Sequence, residues 1–456
     1  MENANLTIVS SASDGHVIDA YHEVIAGLRS MGVDATHVGI SLDLWYPKEG
    51  LARYSSYGYE VWNLPRPSRR GTSWWQTRGI REEAAAAIPA IDGMVAELCA
   101  RHHPSVFMLA DDTGPLEVEL IRAFKKQRCT VALLEHGYGH IADPEPDQDH
   151  GEPTEPDTSR EPWLAQVARR ARHLPRRLAS RVRGGRSASA PALPSVGVFG
   201  TNGSDIVCTY SGLSEARLVV AGVDAACLRP TGYPYFDQFV RRAQVDRPAS
   251  HGSRPRAVII SNGWGSYGYV ADAIAFYELA LDVAAELCKT HDVVFRLKTG
   301  EQPATFLPSP PLDRMTALGM VIDDGLSRSI DLLMDFDVVV GGESTVLLEA
   351  VILGCAPILL DAPAAGAHGG LRSILYGVLK DDLEVLRIGA ASETGAVCLS
   401  AADPSYLRGL RRRLAERQDW LFHGLDGHSG LRVAKAILDA RSAESETQAR
   451  VAPAAG

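Results

Sequence analysis

Asp331 to Asp361, DLLMDFDVVVGGESTVLLEAVILGCAPILLD, reads as helix, buried strand, glycine-rich turn, helix and second buried strand. Val338-Val339-Val340 has the β-branched content and short length of a strand buried on both faces, and Gly341-Gly342 break it where a sharp turn is needed. Ser344 or Thr345 is placed to cap the next helix, so its first N–H groups and the positive end of its dipole face the turn that Gly342 and Glu343 form. A diphosphate is the natural occupant of such a turn. Glu349 follows about one helical turn later, which returns its carboxylate toward the same crevice as an acceptor for ribose hydroxyls. The structural alternative is a plain strand–turn–helix joint with an ordinary cap and a solvated glutamate.

Outward from this segment the same alternation recurs. LTIVSS, a helical stretch from Val17 to Met31 and ATHVGI make a βαβ opening. SVFMLAD (105–111), TVALLEH (130–136) and DIVCTY (205–210) continue it, with helix-compatible stretches at Gly79 to Arg101 and Leu116 to Lys126. After an Arg-, Pro-, Ser- and Gly-rich linker at about 241–256, it restarts with AVIISN (257–262), DVVFRLK (292–298), the DVVVGG strand and APILLD (356–361). Two parallel sheets are expected, with ligands outside the C-terminal strand ends.

The composition agrees. A chain of 456 residues exceeds the usual size of one core, so two domains are expected. No run of about 18 apolar residues occurs and the N-terminus lacks a signal-peptide pattern, which predicts a cytoplasmic protein. The seven cysteines show no C-x-x-C or Cys/His spacing and are expected as buried, reduced thiols. A net charge of −10 argues against a nucleic-acid partner.

Three segments carry a family resemblance. Gly341 to Asp361, GGESTVLLEAVILGCAPILLD, is similar to the donor-nucleotide segment of GT-B glycosyltransferases. Leu228 to Phe239, LRPTGYPYFDQF, resembles the TG-x-P-x-x-D stretch near the interdomain linker of bacterial surface-polysaccharide transferases of that class. Val293 to Pro303, VVFRLKTGEQP, resembles their strand ending in a basic residue near the diphosphate, with Lys298-Thr299-Gly300-Glu301 where Lys-Pro-His-Pro is often seen. The resemblance implies an α/β protein of two facing Rossmann-like domains with parallel sheets and a cleft between them. It implies a nucleotide-sugar donor held mainly by the second domain, and a hydroxyl-bearing acceptor and the base mainly on the first. The expected domains are 1–240, with an insertion at 143–195, then 256–425, then a C-terminal helix and flexible tail at 426–456.

For the base, His16 in the first βα loop leads, because a histidine titrating near neutrality can take the acceptor proton. Asp111 and Asp112 end SVFMLAD, where either could hold the tautomer of that imidazole, an arrangement similar to the His/Asp dyad of plant- and antibiotic-type GT-B enzymes. Glu135-His136-Gly137 resembles the His-Gly stretch of polysaccharide transferases and offers Glu135 or His136 instead. On the donor side, Ser261-Asn262-Gly263 begins a glycine-rich loop suited to phosphate or sugar hydroxyls. Arg296 and Lys298, two apart on a strand, share a face and supply cations for the departing diphosphate without a metal. No cofactor beyond the nucleotide-sugar and no metal ligand is assigned, although Asp111-Asp112 leaves a metal as an alternative. Each of these residues also has a structural reading as a helix cap, a turn or a solvated charge.

Residues 143–195 break the pattern. An acidic, proline-rich run, expected to be disordered, precedes a stretch with nine arginines between Arg160 and Arg186 interleaved with Trp163, Leu164, Val167 and Leu174. It suits peripheral contact with an anionic membrane, pairing with the acidic run, or a solvated insertion. Trp74-Trp75 after Arg66, Arg69 and Arg70 suit a phosphate-bearing lipid or saccharide acceptor, or packing against the domain. The expected function is glycosyl transfer from a nucleotide-sugar to a hydroxyl. The alternatives are a nucleotide-sugar 2-epimerase, an alditol-phosphate transferase and a non-catalytic nucleotide-sugar-binding scaffold.

Overall fold

The computed structural model describes residues 5–12, 14–42, 50–64, 77–136, 199–245, 254–261, 270–298, 310–325, 327–361 and 374–451. The 143–195 insertion with its 160–186 basic stretch, Gly137 and the Arg66-to-Trp75 loop lie outside them.

Two sheets form, each with all its strands parallel. The first holds β1 (Asn5–Ala12), β2 (Asp34–Ser41), β3 (Glu60–Asn63), β4 (Val106–Leu109), β5 (Thr130–Leu134), β6 (Ile206–Thr209) and β7 (Leu228–Pro230), in the order β3-β2-β1-β4-β5-β6-β7. The second holds β8 (Arg256–Ile260), β9 (Asp292–Arg296), β10 (Val321–Asp323), β11 (Val338–Gly341), β12 (Ala356–Leu360) and β13 (Leu386–Ile388), in the order β10-β9-β8-β11-β12-β13. Helices cover both faces, so interior strands such as β5 (TVALL) and β12 (APILL) are buried at every residue. In the first sheet the strand order reverses between β1 and β4, and in the second between β8 and β11. At such a reversal the connecting helices leave to opposite faces and a crevice opens at the C-terminal strand ends.

The strand segments read from the sequence all fall on observed strands. The four that it does not mark, β3, β7, β10 and β13, are the four sheet edges. Each has only three or four residues (EVWN, LRP, VID, LRI) and keeps one side unpaired, so it carries neither length nor a continuous apolar run.

The helix Gly15–Ser30 buries Val17, Ile18, Tyr21, Val24, Ile25 and Leu28, a stripe at helical spacing. The last helix of the chain, Ser429–Val451, crosses it at two glycines. A Cβ on Gly27 would stand 2.9 Å from the Gly430 oxygen, and one on Gly430 would stand 2.6 Å from the Glu23 oxygen. This helix continues past Arg441, through residues expected as a loose tail. SAESETQARV contains no Gly or Pro and is rich in helix-forming side chains.

The stretch Leu228 to Phe239 joins these parts. Thr231 and Gly232 donate backbone N–H groups to the Thr209 oxygen at 3.4 and 3.1 Å. Gly232 has φ +76, and a Cβ there would lie 2.7 Å from the Phe422 oxygen, so only glycine fits. Asp237 accepts from Ser429 N at 3.0 Å and Gly430 N at 2.7 Å, which caps the last helix from a distant part of the chain. Arg432 Nε donates to the Thr231 oxygen at 2.7 Å.

All seven cysteines are free thiols, with Cys129, Cys208 and Cys355 buried and the other four half-buried. Among the described residues no helix is long and apolar enough to cross a membrane.

Candidate functional site

The reversal in the first sheet brings the ends of β1 and β4 side by side, with Ser11 opposite Leu109. His16 stands in the first turn of the helix after β1 and is half-buried. His136 follows β5, and its ring centroid is 5.9 Å from that of His16. His136 Nδ1 lies 2.7 Å from the Ala110 oxygen. A carbonyl only accepts, so Nδ1 carries the proton and Nε2 of the neutral ring holds the lone pair that a base requires. These two histidines are the pair of expected residues that the first sheet brings together.

The carboxylates go elsewhere. Asp111 Oδ1 accepts from Thr113 N at 2.8 Å and Thr113 Oγ1 at 2.7 Å, closing a turn. Asp112 is fully buried and accepts from Gly200 N at 3.0 and 3.1 Å and from Asn202 N at 3.3 Å, pinning the chain where it returns toward β6. Burial pushes its carboxyl up to about 6. Glu135 accepts from Tyr210 N at 2.9 Å and is flanked by Ser214 and Arg217, which ties β5 to the helix Gly212–Val220. Burial pushes it up to about 7. Glu117, which the sequence did not mark, is buried beside Asp111 and Asp112 and is pushed up to about 8 by that burial and then by their charges. Among the described residues its Oε2 has no hydrogen-bond partner, and a Cβ on Gly114 would stand 1.9 Å from it.

In the second sheet the reversal sets Ile260 of β8 beside Gly341 of β11. Ser261 is 3% exposed and donates its N–H to the Arg296 oxygen at 2.9 Å, while Asn262 and Gly263 lie outside the described residues. After β11, Gly342 is buried and Glu343, Ser344 and Thr345 are half-buried at the entrance to the helix Val346–Leu353. Of the two expected caps Ser344 takes the role, its Oγ accepting from Val346 N at 3.3 Å, whereas Thr345 makes no side-chain cap. Arg296 is 8% exposed. Its guanidinium donates to Asp323 Oδ1 at 3.1 Å, Ser327 Oγ at 2.7 Å, the Gly325 oxygen at 3.3 Å and the Ser327 oxygen, so it organises the loop after β10. Lys298 follows β9 and is half-buried.

Glu349 is 3% exposed, with its Oε2 atom buried and, among the described residues, without a hydrogen-bond partner. Burial pushes its carboxyl up to about 7 against the opposing pull of Ser329, the Arg296 charge and Tyr235. Tyr235 opens the helix Tyr235–Ala243 at the end of the first half of the chain, and Ser329 opens the helix Ser329–Leu333 in the second. Their hydroxyls are 2.9 Å apart. The Tyr235 ring also stands edge-on to His16 at 5.8 Å, so one side chain touches both halves of the site. Tyr233 OH is buried and unpartnered, with Asp14 and Glu349 among its electrostatic neighbours.

The sequence analysis quoted Tyr233 and Tyr235 inside a motif but gave them no role, and it left Ser329 unmarked. The available signal was Pro234, which starts a helix and fixes the tyrosine after it at the helix entrance. Among the described residues Ser11 Oγ, Glu117 Oε2, Tyr233 OH and Glu349 Oε2 are thus buried polar atoms without partners. Buried polar groups are ordinarily satisfied, so each such exception is a place for a ligand or water to bond.

The two reversal points facing each other define an α/β protein with the GT-B fold, and solved structures agree. A Listeria monocytogenes protein described as a UDP-N-acetylglucosamine 2-epimerase matches 97% of this chain and 98% of its own, at 13% identity and a TM-score of 0.57. The UDP-GlcNAc 2-epimerase of Neisseria meningitidis, bound to UDP-GlcNAc, matches 96% of this chain and all of its own at 12% identity and a TM-score of 0.54. A UDP-glucosyltransferase from Polygonum tinctorium matches 97% of this chain and all of its own at 13% identity and a TM-score of 0.53. No family model and no curated protein matches the sequence.

Proposed function

We propose that this chain transfers a glycosyl group from a nucleotide-sugar donor to a hydroxyl acceptor. The observation that carries this reading is the meeting of a histidine pair on the first half with Tyr235 and the incompletely bonded Glu349 on the second. Glu349 Oε2 accepts ribose hydroxyls, and the turn Gly342 to Thr345 faces the diphosphate with the first N–H groups of its helix. The acceptor hydroxyl gives its proton to an imidazole nitrogen, His16 or His136 Nε2, as its oxygen bonds to the anomeric carbon. The bond from that carbon to the diphosphate breaks, and the nucleoside diphosphate leaves with the electron pair.

The reading is tested by incubating the purified chain with UDP-glucose or UDP-N-acetylglucosamine and a panel of hydroxyl acceptors. UDP release that depends on the acceptor supports it, and a His136→Ala or His16→Ala loss of about 100-fold or more identifies the base. A second reading, 2-epimerisation of the donor sugar, is favoured by Glu117, a buried carboxyl held largely neutral beside two aspartates. That reaction breaks the C2–H bond, so conversion without acceptor in D2O, with deuterium entering at C2, would replace the transfer reading.

A further inference from the structure

We propose that Tyr235 is a positioning residue whose phenol hydroxyl, reaching from the first half of the chain to the second, holds the Glu349 carboxyl in the accepting form that a ribose diol requires. The inference deepens the donor site just described and rests on it for the identity of the ligand. It stands on three observations. Tyr235 is 7% exposed, so its hydroxyl is committed to partners inside the protein. The Ser329 hydroxyl lies 2.9 Å away, and both residues face the Glu349 carboxyl and favour its charged form. Glu349 Oε2 is left without a partner.

Proton counting gives the arrangement its meaning. Tyr235, Ser329 and Glu349 face one another; the two hydroxyls share one hydrogen bond, and the neutral carboxyl adds a proton of its own. When that proton leaves, both hydroxyls turn toward the carboxylate and stabilise its charge, and Oε2 is free to accept from a ligand. The groups facing Glu349 are Arg296 at the end of β9, Tyr233 and Tyr235 around the start of the helix Tyr235–Ala243, and Ser329. Arg296 is held by the loop after β10, and burial keeps both phenols protonated well above the usual tyrosine range. Glu349 is therefore the member of this group that changes charge near neutrality. Tyr235 is also the one placed to sense the relation between the halves, since its ring stands against His16.

The test is Tyr235→Phe, which keeps the ring beside His16 and removes the hydroxyl. Carbon-13 NMR of glutamate-labelled protein, with the Glu349 signal assigned by its absence in Glu349→Gln, reads the titration midpoint without any ligand. The midpoint is expected to rise in Tyr235→Phe and in Ser329→Ala. It is expected to stay at the wild-type value in Tyr406→Phe, which loses a half-buried phenol that bonds the Pro357 oxygen and the Leu386 N–H instead of this cluster. A midpoint unchanged in Tyr235→Phe overturns the proposal. UDP titrated across pH supplies the second arm. A dissociation constant raised about tenfold below the midpoint, with the ratio shrinking at pH 9, supports the role, since a hydrogen bond to a charged group is worth roughly that factor or more. A ratio independent of pH overturns it by reducing Tyr235 to packing. If wild-type protein binds no UDP while the midpoint still moves, the donor reading fails and the positioning role stands.

Discussion

Two stretches that resemble the same family do opposite things with their polar groups. In Leu228 to Phe239 the threonine, glycine and aspartate close on the chain itself: Gly232 fits under the Phe422 oxygen, Thr231 and Gly232 bond the Thr209 oxygen, and Asp237 caps a helix nearly two hundred residues later, while Tyr233 and Tyr235 between them turn to the candidate site. In Gly341 to Glu349, by contrast, Glu349 Oε2 is buried and unbonded among the described residues. Each residue of a motif is thus assigned to architecture or to chemistry by what is left unsatisfied after folding.

The largest expected effect tests the architectural side. Gly232→Ala places a Cβ against the Phe422 oxygen in a left-handed backbone and should cost about 3 kcal/mol, the sum of the conformational and packing penalties. Gly222 has φ +96 with nothing within 4 Å of a Cβ, so Gly222→Ala should cost only about 1 kcal/mol. Equal losses in chemical denaturation would show that the Phe422 contact contributes nothing.

Next comes the site. Glu349→Gln should weaken nucleoside diphosphate binding by about 10- to 100-fold, read by calorimetry, without lowering the melting temperature, because it replaces a buried ionisable group by a neutral one of the same shape. Asp237→Asn should do the converse, costing about 1 kcal/mol of stability through the weakened cap and leaving nucleotide binding at the wild-type level. Loss of binding in Asp237→Asn with stability intact would reverse the assignment of the two stretches.

The sequence made the interior strands legible because a strand buried on both faces must be apolar throughout, as β5 and β12 are. The four edges escaped because nothing in EVWN, LRP, VID or LRI requires burial on two sides. The proposed site was readable where a residue type announces its chemistry near a strand end, as His16, His136 and Glu349 do. What the sequence could not show is which partner each carboxyl would find. Asp112 and Glu135 looked as available as Glu349, yet Gly200, Asn202 and Tyr210 take them up from segments about seventy to ninety residues away. Tyr235 and Ser329 escaped for the same reason, being 94 positions apart and meaningful only once the two halves meet.

The smallest effect is a difference of slopes, and it compares Glu135 with Glu349 directly. Both carboxyls are raised by burial to about 7 in the folded chain from an ordinary value of 4.5. Between those values the folded chain binds more protons than the unfolded one, so stability falls as pH rises through this window and is highest at its acidic end. Glu135→Gln and Glu349→Gln should each flatten that fall, measured as denaturation midpoints from pH 5 to pH 8. Saturating UDP should separate them. A ligand hydroxyl donating to Glu349 Oε2 favours the carboxylate and draws its midpoint down, so the contribution of Glu349 to the slope shrinks when nucleotide is bound. Glu135, already bonded to Tyr210, should contribute the same slope with and without nucleotide. If both contributions shrink together, the ligand acts through global stabilisation, and the partnerless oxygen of Glu349 is not where the donor bonds.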